Sequence, residues 1–330
     1  MKRNVLLFAA VLTVLLLSAC GEDEKKADSK PAAAENKESS EKETVEVTDK
    51  AKGAPEDQGD AKVWFKGEAE RIGKKISVKG KTNLQPDSRL TYYIDSIEGS
   101  IVGGTNVAQV QNNGSFQLDA EIPKEYDGLS ILTMKFEPAT DNAPIIEHYG
   151  KNGEKLEGSF VRLSEDSGTP NNQAILKLDI PQEGGKTTVE IEEPAWQKPE
   201  DYGDVNIRID DPKITKDERY IYIEGTSNFL EGTHIEAKAE IPGYVTSGFK
   251  GVTEVNPDGS YRIIFENPAN DKRIKNLKDY EIFIRMYPDA NFWNSIKTTY
   301  GEKGQKFKGN YIKEQYEGSY YLEKKLNVSE

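Results

Sequence analysis

The sequence predicts an all-β protein in which two tandem antiparallel β-sandwich domains follow an N-terminal leader and a charged tether. Three observations lead to this prediction. Apolar and polar residues alternate with a period of two over many short segments. Asn-Gly and Pro-Asp-Gly sequences, which favour tight turns, separate those segments. The same order of segments then recurs 145 to 151 residues further along the chain.

The leader covers residues 1–19 and has the three parts of a secretory signal peptide. Lys2 and Arg3 precede residues 5–17, which are apolar apart from Thr13. A membrane-spanning helix needs about 20 apolar residues, so this run has the length of a signal-peptide core instead. Small residues, as a cleavage site requires, follow and end at Cys20.

The stretch Leu17-Ser18-Ala19-Cys20 resembles the lipobox of bacterial lipoproteins. The resemblance implies that the Cys20 thiol receives a diacylglyceryl group bearing fatty acids such as palmitate, and that Cys20 becomes the first mature residue. An ordinary signal peptide with an incidental cysteine is the alternative. Cys20 is the only cysteine, so a lipidated chain keeps no thiol for a disulfide or a metal. We expect the protein on the extracytoplasmic face of the cell membrane, in a Gram-positive envelope.

Residues 20–60 are predicted to form a disordered tether that starts at the lipidated cysteine. Residues 21–60 include thirteen acidic and seven basic side chains and no aromatic one. Such a segment buries too little apolar surface to offset the entropy lost on ordering. We expect a spacer that holds the folded part away from the membrane. A tail that binds a ligand itself is the alternative.

Three pairs of segments reveal the internal repeat. "ISVKGKTNL" from Ile76 matches "IYIEGTSNF" from Ile221, and "VQNNGSF" from Val110 matches "VNPDGSY" from Val255, both at an offset of 145. "YGKNGEKLEGSFV" from Tyr149 matches "YGEKGQKFKGNYI" at an offset of 151, and we expect the six extra residues within residues 270–280. Three matches in the same order indicate a tandem duplication.

Each copy is predicted to form short antiparallel strands with one buried face. Apolar side chains occur at every second position around Ile76, Leu90, Phe116 and Leu132, and the second copy repeats this pattern. No amphipathic helical stretch is longer than about two turns, and residues 270–279 are the best helical candidate.

About seven short strands per copy are typical of a β-sandwich of immunoglobulin type. The pattern "GKTNL" from Gly80 resembles the bacterial immunoglobulin-like domains of surface lipoproteins. The resemblance covers both copies and implies a binding or spacing role without naming a ligand. The Cys-Trp-Cys pattern of antibody domains is absent. The predicted boundaries are residues 61–192 for the first sandwich, 193–204 for a linker and 205–330 for the second sandwich.

No motif in the sequence specifies a catalytic residue, a metal site or a non-covalent cofactor. His148 and His234 lack metal-ligand spacing, and phosphate-binding glycine loops are absent. The net charge of −13 disfavours nucleic acid as a partner because phosphates would be repelled. The acidity permits calcium, which binds loop carboxylates. The candidate calcium ligands, where the second domain begins, are Asp201, Asp204, Asp210 and Asp211.

Two aromatic pairs are candidate contact residues. Phe292 and Trp293 lie in a predicted inter-strand loop, where the first copy has Ala-Pro at residues 143–144. An exposed Phe-Trp pair could bind a sugar or a protein, whereas the usual burial of tryptophan favours a Trp293 that caps its own sandwich. In the linker, Trp196 and Tyr202 are expected to pack into the domain interface, with an exposed contact site as the alternative.

These features predict a non-enzymatic, membrane-anchored binding or adhesion module of the bacterial cell envelope. Its partners would be the membrane, through the lipid, and another envelope protein or a wall glycan, through Phe292 and Trp293. One alternative is an extracytoplasmic enzyme that acts on glycans through two carboxyl groups about 5–10 Å apart. The other is a structural spacer, for which we expect smooth polar faces and a buried Trp293.

Replacing Cys20 tests the proposed anchor. Cys20→Ser should abolish incorporation of a labelled fatty acid and release the chain from washed membranes, because a hydroxyl is a much weaker nucleophile than a thiol. Ser18→Ala keeps a small residue beside the cleavage site and should retain both label and membrane association. Equal labelling of the two variants would contradict lipidation at Cys20.

Overall fold

The computed structural model describes residues 51–97, 100–165, 168–182, 184–245 and 247–329. The leader, Cys20 and the tether up to residue 50 lie outside these residues, so the expectations for them stay predictions. Asp49–Glu330 form one compact unit. Within the described part of the chain, no helix is long and apolar enough to cross a membrane.

The fold is all-β, as the alternating pattern predicts. The described residues form four antiparallel sheets and only two short α-helices, with two separate hydrophobic cores. The two sheets of each half enclose one core, and this gives two sandwich-like layers per half.

The described residues of the first half form nine strands in two sheets. A four-stranded sheet has the order β5-β2-β1-β9, and a five-stranded sheet has the order β4-β3-β6-β8-β7. The elements are β1 (Phe65–Ile72), β2 (Lys75–Thr82), β3 (Arg89–Asp95), β4 (Ile101–Gln109), β5 (Ser115–Glu121), β6 (Ser130–Phe136), α1 (Ala143–Tyr149), β7 (Val161–Ser164), β8 (Asn171–Ile180) and β9 (Lys186–Glu190).

The second half repeats this topology, and its described residues form eight strands. Its sheets have the orders β10-β11-β14 and β13-β12-β15-β17-β16, so the five-stranded sheets of the two halves correspond strand by strand. The elements are β10 (Lys213–Lys216), β11 (Tyr220–Thr226), β12 (His234–Glu240), β13 (Lys250–Glu254), β14 (Ser260–Glu266), β15 (Asp279–Met286), α2 (Asn294–Tyr300), β16 (Ile312–Tyr316) and β17 (Ser319–Ser329).

The period-two pattern places apolar side chains in both cores. Leu90, Tyr92 and Ile94 on β3 are buried while the residues between them are half-buried, and Ile235 and Ala237 on β12 repeat this arrangement. Alternate side chains of a strand point to opposite faces of the sheet, so each five-stranded sheet buries one face against its partner sheet.

The two helices lie in segments that the sequence predicts as loops. Residues 270–279 form no α-helix, because Asn276 adopts a positive φ of 54° that interrupts a right-handed helix. Helix α1 begins instead after Asn142, whose side chain accepts a hydrogen bond from the backbone N–H of Ile145 at 3.3 Å. Its buried residues Ile145 and Tyr149 are four positions apart and face the first core.

The extra residues of the second copy fall at two places. Strands β5 and β14 end at Glu121 and Glu266, 145 residues apart, whereas β6 and β15 end at Phe136 and Met286, 150 residues apart. Five extra residues therefore lie between β14 and β15, where the repeat predicts them. The sixth lies between β15 and α2, since α1 and α2 begin 151 residues apart.

Packed structure begins before the predicted boundary at residue 61. Asp57 accepts a hydrogen bond from the indole N–H of Trp64 at 2.7 Å, and the His148 ring lies 2.6 Å from the carbonyl oxygen of Gly59. Residues 55–60 thus pack against the first sandwich through polar contacts, although their composition resembles that of the tether.

Arg71 on β1 closes one end of the first sandwich. Its side chain is almost fully buried, and its guanidinium donates hydrogen bonds to the carbonyl oxygens of Gly128 and Ile180 at 3.1 and 3.2 Å. It also donates to the side chain of Gln182 at 2.7 Å. Burial lowers the pKa of Arg71, opposed by nearby Tyr126 and Asp127. The planar group thereby joins β1 to the chain just before β6 and to the last residue of β8, which lie side by side at one end of this antiparallel pair.

Removing this guanidinium should destabilise the first sandwich. Arg71→Met leaves buried carbonyl groups without a donor, and each such group costs about 1–3 kcal/mol, so we expect a loss of about 2–4 kcal/mol in the free energy of unfolding. Urea unfolding followed by circular dichroism measures it. The control Arg89→Met removes an exposed arginine bonded to one carbonyl, that of Thr140, and should cost less than about 1 kcal/mol. Similar losses in both variants would contradict this role of Arg71.

Candidate functional site

The two sandwiches meet at an ion pair between Arg162 on β7 and Glu231, which precedes β12. Each of these two side chains is only 11% exposed. The Arg162 guanidinium also donates a hydrogen bond to the side-chain oxygen of Asn256 at 3.3 Å. A charge pair this enclosed is costly to break on one side, because the remaining charge would be left buried without a partner.

A second contact joins the sandwiches elsewhere. The backbone N–H of Leu129 donates a hydrogen bond to the Tyr220 hydroxyl at 2.8 Å, and these two residues form a small buried cluster with Ile264. Arg262 on β14 forms an ion pair with Asp179 on β8. Contacts at separate places restrict rotation of one sandwich against the other.

The linker aromatics are fixed at this junction. Trp196 donates its indole N–H to the carbonyl oxygen of Ser159 at 2.6 Å, and the Arg162 guanidinium lies 5.5 Å from the centre of its ring. The Tyr202 hydroxyl accepts the backbone N–H of Glu231 at 2.8 Å. Burial raises the pKa of Tyr202, which keeps the phenol neutral at physiological pH. Both rings stay half-buried, so each also reaches the surface.

A groove with a volume of about 620 Å³ runs along this junction, and the two linker aromatics line it. Its other apolar walls come from both sandwiches, and a few polar side chains stand among them. The lining residues besides Trp196 and Tyr202 are Val161, Leu163, Asn172, Lys198, Leu230, Glu231, Pro257 and Ser295.

The structure separates the predicted aromatic pair Phe292 and Trp293. Trp293 belongs to the second core and is 7% exposed, whereas Phe292 is 78% exposed, with the Lys297 ammonium 5.9 Å from its ring centre. The pair directly precedes α2, so the expected match with residues 143–144 is wrong: those residues begin α1 and correspond to the start of α2. Phe292 lies three residues before Ser295, which lines the groove, but Phe292 is not itself among the lining residues.

The four aspartates proposed for calcium bind cationic side chains or backbone groups. Arg208 donates hydrogen bonds to both carboxylate oxygens of Asp201 at 2.9 Å, and these bonds lower the pKa of Asp201. Arg208 also forms an ion pair with Asp210. Lys324 binds Asp211 at 2.8 Å and lowers its pKa. Asp204 accepts a backbone N–H at 2.8 Å. The described residues contain no cluster of three or more Asp, Glu, His or Cys side chains arranged to hold a metal ion.

The carboxyl groups at the groove are engaged in structural contacts. Glu231 is the one acidic residue among the lining residues, and Arg162 binds it. Glu165, 7% exposed, accepts the backbone N–H of Ser295 at 3.1 Å. The described lining residues therefore include no second carboxyl group to form the pair that a glycoside hydrolase uses.

No sequence pattern predicts a role for Arg162 or Glu231. They are 69 positions apart, and neither lies in a motif. The repeat did contain a signal, because Pro86 stands at the position that corresponds to Glu231 at an offset of 145.

Comparisons with known proteins yielded weak structural similarities alone. No protein-family profile matches the chain, and no curated protein matches it. A candidate carbohydrate-binding protein from Bacteroides uniformis has 10% identity, covering 72% of this chain and 98% of its own, with a TM-score of 0.22. The tetra-tandem repeat in the extending region of a large adhesion protein has 11% identity, covering 81% of this chain and 74% of its own, also with a TM-score of 0.22. Similarities at this level carry no argument about the site.

The burial of Trp293 depends on Gly232, which adopts a φ of +77°. A Cβ at this position would overlap the Trp293 ring, whereas a Cβ at Gly243, with a φ of +82°, meets no atom within 4 Å. Both Gly→Ala changes incur the backbone cost of a positive φ, but Gly232→Ala adds an overpacking cost of about 1–3 kcal/mol. Urea unfolding should show this difference between the variants. Equal stability would contradict the described position of Trp293.

Proposed function

We propose that this protein is a non-enzymatic binding module of the bacterial cell envelope. The lipid on Cys20 would anchor it at the extracytoplasmic face of the membrane, and a glycan of the envelope would bind in the junction groove. The observation that supports the proposal is the pair of immobilised linker aromatics, Trp196 and Tyr202, beside an open groove that both sandwiches build.

The groove has the chemistry of a sugar-binding site. Flat aromatic rings pack against the apolar faces of sugar rings, and Asn172, Lys198 and Ser295 offer hydrogen-bonding groups for hydroxyls. Ligand sites of about 300–1,000 Å³ are typical, and they occur preferentially at domain interfaces. Because hydrogen bonds already hold both rings, little side-chain entropy is lost on binding.

The charge of the chain narrows the class of glycan. A net charge of −13 repels polyanionic wall polymers and tolerates neutral or amino-sugar chains. The proposal is therefore a neutral or weakly cationic oligosaccharide segment rather than a phosphate-rich polymer.

A structural spacer is the second candidate, and the buried Trp293 favours it. An exposed Phe292 and an aromatic groove are not expected for a spacer with smooth polar faces. Binding at the groove therefore distinguishes these two functions.

Co-sedimentation with purified wall glycan tests the proposal. The soluble unit of residues 49–330 is mixed with insoluble peptidoglycan and, separately, with wall material that retains its anionic polymers. We expect binding to the neutral matrix. Trp196→Ala should weaken it by about tenfold or more, because central aromatic residues contribute most of the energy in such contacts.

Two control variants separate the groove from other exposed rings. Tyr316→Ala removes a ring that is 54% exposed on the hairpin of β16 and β17 and should leave binding unchanged. Phe292→Ala should likewise leave binding unchanged, because Phe292 is not among the residues that line the groove. Trp293 is kept, because its loss would open a cavity in the second core. Binding that survives Trp196→Ala, or is absent for every wall preparation, would refute the glycan proposal.

A further inference from the structure

The edge strand β4 lies in a part of the chain without charge. Residues 99–118 contain no ionisable side chain, in a protein of which 31% of residues are charged. This run includes β4 and the start of β5, which are the edge strands of the two sheets of the first sandwich. Exposed strand edges normally carry charged residues, because their unpaired N–H and C=O groups can pair with another strand.

Strand β4 is also long and apolar for an exposed edge. It spans nine residues, and Ile101 and Val107 are 54% and 48% exposed. The regular part, Thr105–Gln109, pairs with β3 on one side and has no strand on the other among the described residues.

The second sandwich protects the corresponding edge. Strand β13 has only five residues, and Lys250 and Glu254 occupy its ends. Because Gly251 has no side chain, β13 lies very close to the backbone of Ile264 on β14. A Cβ at residue 251 would overlap the carbonyl oxygen of Ile264. By strand register, Asn106 holds the position of Gly251 in the first sandwich. In the first sandwich, the edge strands β4 and β5 are further apart and enclose a cleft of about 580 Å³.

We propose that β4 pairs with β4 of a second copy of this chain, antiparallel across a two-fold axis. Two molecules with a net charge of −13 repel each other, and they approach at the lowest electrostatic cost through a surface that adds no like-charge contacts of its own. The β4 edge is such a surface, and a strand that meets its own copy antiparallel exchanges backbone hydrogen bonds symmetrically. The two five-stranded sheets then form one continuous sheet of ten strands.

The first test measures mass as a function of concentration. Sedimentation equilibrium of residues 49–330, from about 1 μM to about 500 μM, should show a monomer–dimer equilibrium that follows mass action. Val107 is the middle residue of the regular part Thr105–Gln109, so in a pair centred there Val107→Lys places like charges close together and should raise the dimer dissociation constant at least about tenfold. Val252 on β13 is the matched residue by register, and Val252→Lys should leave the constant unchanged. Both variants add one positive charge, so the comparison cancels the effect on net charge.

The second test uses the full chain, in which Cys20 is the only natural cysteine. Val107→Cys should form a disulfide-linked dimer on mild oxidation, and Val252→Cys and the unchanged chain should not. A monomer at all concentrations, a dimer insensitive to Val107→Lys, or equal crosslinking at both positions would overturn the proposal. Its failure would leave glycan binding at the junction groove untouched, because Trp196 takes no part in it.

Discussion

The ion pair between Arg162 and Glu231 is the interaction on which the candidate site depends. It joins the two sandwiches, its guanidinium lies against the Trp196 ring, and the backbone of Glu231 fixes the hydroxyl of Tyr202. The two residues of the pair thus contact both aromatic walls of the groove, Arg162 through its guanidinium and Glu231 through its backbone. Because both charges are largely buried, removal of either one would leave the other without a partner.

The pair also explains how a duplicated fold can acquire a site. Each sandwich alone has an ordinary buried core, and the linker aromatics Trp196 and Tyr202 belong to neither core. The groove exists because the linker aromatics pack where the two copies meet. A binding site at a domain junction requires only a few changes in one copy, such as Glu231 in place of the proline at residue 86.

The two copies have diverged at their edges as well. In the second copy, Gly251 lets β13 approach β14, whereas the first copy keeps β4 apart, long and uncharged. The second copy also buries Trp293 against Gly232 and exposes Phe292. The shared topology therefore supports different surfaces: an edge suited to strand pairing in the first sandwich and an exposed aromatic ring in the second.

The sequence alone determined the strands, because side chains alternate between the two faces of a strand and the pattern is local. Leu90, Tyr92 and Ile94 are buried as their spacing predicts, and the repeat located five of the six extra residues. Helix α1 could also have been predicted from the sequence. Its cap Asn142 and its apolar residues Ile145 and Tyr149 are local signals, although this segment was predicted to be a loop.

Only the tertiary structure decided the site. Arg162 and Glu231 come together across 69 positions, and no local pattern encodes a contact over such a distance. No local pattern predicts the different burial of Phe292 and Trp293 either. They are neighbours in sequence, but they are 78% and 7% exposed because Gly232 leaves room for the Trp293 ring. Periodicity specifies which face of a strand is buried, whereas the packing of distant surfaces specifies what a groove contains.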